Sequence, residues 1–140
     1  MNAKKMLLAL IAGFAVMYLL SWLWHMKIMV DFYIAHSSSG ALDAPKTQYI
    51  LLGYFVLALI LSYIYPLGYK GGSPVIEGLK FGAVMGLLWN LPFSLVSFGL
   101  FESSGTLIIV DGIWHIVEEG IGGIAIGLVY GSQISPGKFR

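Results

Sequence analysis

The stretch DGIWHIVEEGIGGIAIGLVYG, residues 111–131, places ionisable side chains inside an otherwise apolar segment. Asp111, His115 and Glu119 recur at every fourth position, so they share one side of a helix. Glu118 lies beside them, and the same side continues in small residues at Gly123, Gly127 and Gly131. Ionisable groups within a membrane segment are costly to bury and mark functional sites. The stretch therefore predicts a membrane helix that carries such a site.

The composition places the whole chain in a membrane. Of its 140 residues 58% are hydrophobic and 11% are charged, and the mean hydropathy is +0.83. A soluble domain of this size could not bury so much apolar surface, so the lipid bilayer is the expected partner. A net charge of +1 with no basic patch argues against a nucleic-acid partner. The absence of cysteine excludes disulfides and thiolate metal sites.

The apolar residues form four runs, each of which reaches the roughly 20 residues that cross a bilayer. The runs cover about 6–30, 49–67, 77–100 and 106–131. The first is too long for the apolar part of a signal peptide, so we expect a retained helix. Backbone in lipid must satisfy its own hydrogen bonds, so each run is a helix. The sequence predicts an all-α, four-helix transmembrane bundle, one domain over residues 1–140, with the N and C termini on the same side.

The basic residues indicate the orientation of this bundle. Lys27 and Lys46 fall on the side away from the termini, and the other basic residues near the spans fall on the terminal side, at Lys4, Lys5, Lys70, Lys80, Lys138 and Arg140. Cytoplasmic loops carry an excess of lysine and arginine. We therefore expect both termini in the cytoplasm.

The connections between the runs differ in character. The stretch 31–48 contains Ser37-Ser38-Ser39-Gly40 and Pro45, which predict an irregular outer loop after Asp31 ends the first helix. The two later connections are short. Short connections predict that the second and third helices, and the third and fourth, are antiparallel neighbours.

The third run carries its own stripe of small and polar residues at i+4 spacing, at Gly78, Gly82, Gly86, Asn90 and Ser94. Small residues let membrane helices approach closely. We expect a glycine zipper in which the glycines of the third run lie level with Gly123, Gly127 and Gly131. Asn90 and Ser94 would then lie level with Glu119, His115 and Asp111.

The polar residues of three runs predict one cavity in the middle and outer half of the bundle. His25 on the first helix and Asn90 on the third would face the acidic helix. The cavity would be lined by His25, Asn90, Asp111, His115, Glu118 and Glu119, with apolar walls from Trp24, Trp89 and Trp114.

A divalent metal ion is one interpretation of this cavity. Histidine and carboxylate ligands suit zinc, iron or manganese, and His115 with Glu118 or Glu119 can reach one ion from one helix. The expected ligand set is His25, His115 and Glu119. The order His-x-x-Glu occurs in a single copy, which disfavours a dinuclear site.

Two other interpretations stay open. His115, Glu118 and Glu119 could perform acid–base catalysis on a lipid-soluble substrate. The same groups could instead fix helix register inside a homo-oligomer or a larger membrane complex, with the chain as an accessory subunit. The main prediction is a small membrane protein whose cavity binds a metal ion or a polar-headed small molecule.

Several short motifs also carry a resemblance, which covers nearly the whole chain. They are Ser21-Trp22-Leu23-Trp24, Gly53, residues 82–89, Trp114-His115, Gly123, Gly127 and Tyr130-Gly131. In these the chain resembles small bacterial four-helix integral membrane proteins, catalogued as a domain family of unknown function. The resemblance implies a four-helix bundle in a bacterial inner membrane, and it implies no activity.

Overall fold

The chain folds into helices. The computed structural model describes residues 2–36, 45–101 and 104–131, and no strand occurs among them. The helices are α1 (Ala3–Leu23), α2 (Val30–His36), α3 (Thr47–Gly68), α4 (Pro74–Leu100) and α5 (Gly105–Gly131). Four segments are long and apolar enough to cross a membrane, namely Ala3–Ile28, Thr47–Gly68, Pro74–Leu100 and Gly105–Gly131. The predicted all-α bundle with four candidate spans is confirmed.

The first and last helices end together. The Lys5 ammonium at the start of α1 donates a hydrogen bond of 3.0 Å to the carbonyl oxygen of Tyr130 at the end of α5. Asn2 caps α1 by accepting from the backbone N–H groups of Lys4 and Lys5. The start of α1 and the end of α5 therefore lie on the same side of the bundle, as predicted for the two termini. Lys138 and Arg140 lie outside the described residues.

Residues 24–36 are more ordered than predicted. A π-helical turn, Trp24–Ile28, follows α1, and the backbone leaves the helical region at Met29 (φ −114°, ψ 18°). The helix α2 then begins at Val30 with Asp31 in its first turn, where a carboxylate is favoured by the helix dipole. The irregular loop predicted after Asp31 is thus wrong for residues 31–36. The Ser37-Ser38-Ser39-Gly40 part of that prediction lies outside the described residues.

The last helix occupies the centre of the bundle. Half of the most apolar window of α5 is buried, against 6% of that of α4. α5 packs along α4 and also against α1, while α1 in turn packs against α3. The core of this assembly contains Met17, Leu57, Ala58, Leu61 and Ile126.

The predicted packing of α3 against α4 is limited to a small contact. These helices touch near their connecting turn, where the Tyr65 and Phe81 rings are 5.3 Å apart, and contact little elsewhere. A short connection brings two helix ends together, but it does not decide which faces pack. Here α3 buries its small and apolar face, with Ala58 and Leu61, on the α1 side.

The glycine pairing of α4 with α5 is confirmed, but its register is shifted. A Cβ added at Gly78 would overlap the backbone of Gly123, one at Gly82 the carbonyl of Glu119, and one at Gly86 the carbonyl of His115. We expected these glycines two turns further along, beside Gly123, Gly127 and Gly131.

The beginning of α4 explains this shift. Pro74, at its first position, already covers Gly127 and Gly131, so each later glycine meets an earlier part of α5. The turn before α4 is sharp because Gly71 adopts a left-handed φ of 85°. The Ser73 hydroxyl then caps the helix by accepting from the N–H of Ile76.

Candidate functional site

The ionisable groups in the middle of α5 are removed from solvent. Glu118 and Glu119 are each 0% exposed and His115 is 7% exposed. His115 and Glu119 are one helical turn apart, and Nδ1 of His115 lies 3.1 Å from Oε1 of Glu119. The three residues therefore form a buried cluster on one helix, here called the HEE cluster.

The HEE cluster has the dimensions of a metal site. One ligand atom from each of His115, Glu118 and Glu119 lies within 4.8 Å of the other two. Ligands bound about 2.1 Å from one ion can be at most about 4.2 Å apart. A small rotation of the carboxylates would bring all three onto a single ion.

The carboxylates of this cluster lack hydrogen-bond partners. Both oxygens of Glu118 and Oε2 of Glu119 are buried and unpaired within the described residues. The Trp114 indole N–H, one turn before Glu118 on the same face, is unpaired as well. A buried unpaired carboxylate is costly unless a proton or cation neutralises it. A proton or a cation at the HEE cluster would therefore be favoured.

The wall on the α4 side is backbone. The Gly82 and Gly86 positions pack on the carbonyl oxygens of Glu119 and His115, and a Cβ at Gly86 would also lie 3.1 Å from Oε2 of Glu119. Glycine at position 86 thus leaves the room that the Glu119 carboxylate occupies.

The wall on the α1 and α3 side consists of polar side chains. The Tyr54 hydroxyl donates a hydrogen bond of 2.6 Å to Oγ of Ser21. Tyr54 also lies next to the Glu118 carboxylate, without the geometry of a regular hydrogen bond. The Tyr54 hydroxyl therefore places a polar group beside the HEE cluster.

His25 lies near the HEE cluster but outside it. Its Nδ1 is 2.9 Å from the Ser21 carbonyl oxygen, and its ring lies 4.6 Å from that of Tyr33. It interacts electrostatically with Asp111 and His115, yet it is not among the atoms that could share one ion. The ligand set expected from the sequence, His25 with His115 and Glu119, stays a prediction, and the group whose ligand atoms the geometry brings together is His115, Glu118 and Glu119.

An aromatic layer lies one turn from the cluster, toward the end of the bundle that holds Asp111. The Trp24 and Trp114 rings stack with centroids 4.2 Å apart. The Tyr33 hydroxyl donates to Oδ1 of Asp111 and accepts from Nε1 of Trp24 at 3.0 Å. Burial, and next the hydrogen bond to Asp111, raise the pKa of Tyr33 well above its ordinary value, so its hydroxyl stays a donor.

Two expected members of the cavity lie elsewhere. Trp89 is 47% exposed, and together with Asn90 and Phe93 it lines an open groove of about 460 Å³. Asn90 accepts a hydrogen bond from Ser94, and no hydrogen bond joins it to the HEE cluster in the described part of the chain. The shifted register explains this, because it places Gly86 rather than Asn90 opposite His115.

The structure also adds residues that the sequence prediction had not assigned to the site. Ser21 and Tyr54 belong to i+4 stripes of the first two spans, so the periodicity could have pointed to them. No periodic pattern pointed to Tyr33, because residues 31–48 were predicted to form a loop.

Comparison of this chain with protein-family models, with curated proteins and with solved structures finds no match. The membership suggested by the glycine and aromatic motifs therefore stays a prediction.

Proposed function

We propose that this chain is a small integral membrane protein that binds one divalent transition-metal ion through His115, Glu118 and Glu119. The observation that carries the proposal is the Glu118 carboxylate, which is wholly buried, without a hydrogen-bond partner, and within 4.8 Å of two further ligand groups. A bound cation would neutralise the carboxylates and coordinate the oxygens that are now unpaired.

The donor set supports a particular class of metal. One imidazole nitrogen and two carboxylate oxygens suit Zn²⁺, Mn²⁺ or Fe²⁺ rather than the soft Cu⁺ ion, which selects sulfur ligands. Three protein ligands leave at least one position for water. The Tyr54 hydroxyl, which lies next to Glu118, could take part in a hydrogen bond with such a water.

A purely structural role explains the cluster less well. Hydrogen bonds between helices in membranes contribute about 0.6 kcal/mol on average. Among the described residues, the side chains of the HEE cluster make no regular hydrogen bond to another helix: His115 pairs with Glu119 on the same helix, and the Glu118 carboxylate is unpaired. Acid–base catalysis would use the same pair but needs a substrate as well, so we put binding first.

The setting of this function is part of the proposal. Lys4, Lys5, Lys70 and Lys80 lie at one end of the bundle, whereas Lys27 and Lys46 lie at the other. This distribution supports termini in the cytoplasm by the positive-inside rule. The bacterial inner membrane follows from the resemblance and is proposed with it.

The test is metal binding by the purified protein. After chelator treatment, the full chain in detergent is titrated with Zn²⁺ and with Mn²⁺ by calorimetry. We expect one equivalent of at least one ion to bind. Glu118→Gln should weaken that affinity by about 100-fold, because it removes a direct ligand. Glu77→Gln, at the far end of α4, is the matched control and should bind like the parent. Absence of stoichiometric binding by the parent protein would refute the proposal.

A further inference from the structure

Most directions of approach to the HEE cluster are closed by tight packing. On the α4 side, the Gly82 and Gly86 backbone lies against the carbonyls of α5. Toward the end of the bundle near the termini, the wholly buried Met17 covers Gly122, and Ile126 lies on Gly13. A hydrated cation could not pass between such surfaces, because protein interiors leave few voids larger than a water molecule.

The approach to the HEE cluster from the opposite end of the bundle, where Asp111 lies, is not packed in this way. Asp111 lies one helical turn from His115, and the residues around it are only partly buried. This group consists of polar or amphipathic residues, namely Asp111 itself and its neighbours Trp24, His25 and Tyr33. An acidic side chain with partly exposed neighbours is the feature of the described pocket walls that suits the attraction of a cation from water.

The Tyr33 side chain covers this approach to the HEE cluster. Its hydroxyl donates to Asp111 and accepts from the Trp24 indole, and its ring lies 4.6 Å from the His25 ring. The carboxylate that would meet an incoming cation first is therefore occupied by the Tyr33 proton. Trp24 is in turn stacked on Trp114, so the same contacts hold the aromatic layer in place.

The element that carries Tyr33 is held weakly. α2 is seven residues long and has no buried residue, and the non-helical Met29 separates it from the π-helical turn. Segments with few buried contacts open locally at low free energy. The position of α2 over the pocket therefore depends largely on the Tyr33 contacts.

We propose that Tyr33 is a gate over the HEE cluster, and that breaking its hydrogen bond to Asp111 lets a divalent cation pass between water and His115. This inference rests on the proposed function, whose site it supplies with an access route. The hydrogen bonds of the Tyr33 hydroxyl are made to Asp111 and Trp24 and not to the HEE cluster. The gate therefore controls the rates of metal exchange rather than the affinity for the metal.

The experiment compares Tyr33→Phe with Tyr63→Phe, a control at an exposed tyrosine of α3. Zn²⁺ binding and its release to excess chelator are followed by tryptophan fluorescence in stopped flow. Tyr33→Phe should raise both rates about ten-fold or more, the factor that corresponds to one hydrogen bond to a charged group, with an unchanged Kd. Tyr63→Phe should change neither rate.

A second readout needs no metal. Diethyl pyrocarbonate acylates accessible imidazoles, and mass spectrometry of the peptides gives the rate at His115 in metal-free protein. Tyr33→Phe should raise this rate, with Tyr63→Phe unchanged. Faster acylation in a chain that binds no metal would support the gate and refute the proposed function. Metal binding with unchanged rates and unchanged acylation would overturn the gate and leave the function standing.

Discussion

The two sides of α5 are packed in different ways. Toward α4, backbone meets backbone, because glycines at positions 78, 82 and 86 let the helices approach until no side chain separates them. Toward α1 and α3, contacts are made by side chains of α5, such as the Tyr130 hydroxyl that donates to the Ser62 carbonyl oxygen and the Trp24–Trp114 stack. The first side fixes the position of α5, and the second leaves side chains that can move. The HEE cluster lies between them, with Glu119 beside α4 and Glu118 beside Tyr54.

The largest expected effect tests the α4 side. Gly82→Ala adds a Cβ where the Glu119 carbonyl oxygen lies, and neither backbone can move easily. We expect a loss of about 3 kcal/mol in the free energy of unfolding, the upper part of the range for overpacking. The measurement is unfolding in mixed micelles followed by circular dichroism.

Gly53→Ala is the matched control for that substitution. A Cβ at Gly53 meets nothing within 4 Å, so the same change should be neutral, or stabilising by up to about 1 kcal/mol through helix propensity. Equal losses of unfolding free energy for Gly82→Ala and Gly53→Ala would show that the glycines of α4 do not pack tightly against α5.

The next effect tests the cluster between the two sides. Zn²⁺ or Mn²⁺ at 100 times its Kd should raise the stability of the parent protein by about 2.7 kcal/mol, and chelation should remove the gain. Glu118→Gln, which should bind about 100-fold more weakly, should gain only about 0.4 kcal/mol at the same metal concentration, and Glu77→Gln should show the full gain. The readout is the thermal unfolding midpoint with and without metal. A full gain in the Glu118 variant would place the ion elsewhere.

A smaller effect tests the side-chain contacts toward α1 and α3. Tyr54→Phe removes the hydroxyl that donates to Ser21, and Ser21→Ala removes its acceptor. A double-mutant cycle should give a coupling of about 1 kcal/mol, within the range for hydrogen bonds between membrane helices. Tyr63→Phe at an exposed position is the control. Zero coupling would show that Tyr54 is not held by Ser21.

The smallest effect concerns the end of the bundle near the termini. Lys5→Met removes the ammonium that donates to the Tyr130 carbonyl oxygen at the end of α5. We expect a loss of about 0.5 kcal/mol, as for a cation at a helix C-terminus. Lys4→Met, next to it on α1 and exposed, should cost less in the same unfolding assay.

The sequence predicted the spans and the helix pair well because both depend on local patterns. Apolar runs of about 20 residues or more form helices in lipid, and glycines at i+4 spacing define a face of each helix. The same spacing identified His115 and Glu119, which the structure brings together. The prediction failed where the answer depended on contacts between segments.

Three residues show what such contacts decide. Asn90 was expected beside His115, but the register follows from where Pro74 starts α4, which no periodicity gives. His25 was expected as a ligand, but it belongs to the π-helical turn and lies outside the group of His115, Glu118 and Glu119 whose ligand atoms come together. Tyr33 was assigned to a loop, since α2 is too short to show a helical pattern.

The central position of α5 has a consequence for biogenesis. α4 packs almost entirely on α5, and α1 has α5 as its largest neighbour, yet α5 is the last of these helices to be synthesised. Until residues 105–131 enter the bilayer, α4 has no partner for its glycines and α1 can pair only with α3. Tertiary assembly of the described helices therefore has to wait until α5 has been synthesised, and a nascent chain cut before position 105 would leave α4 largely without a partner.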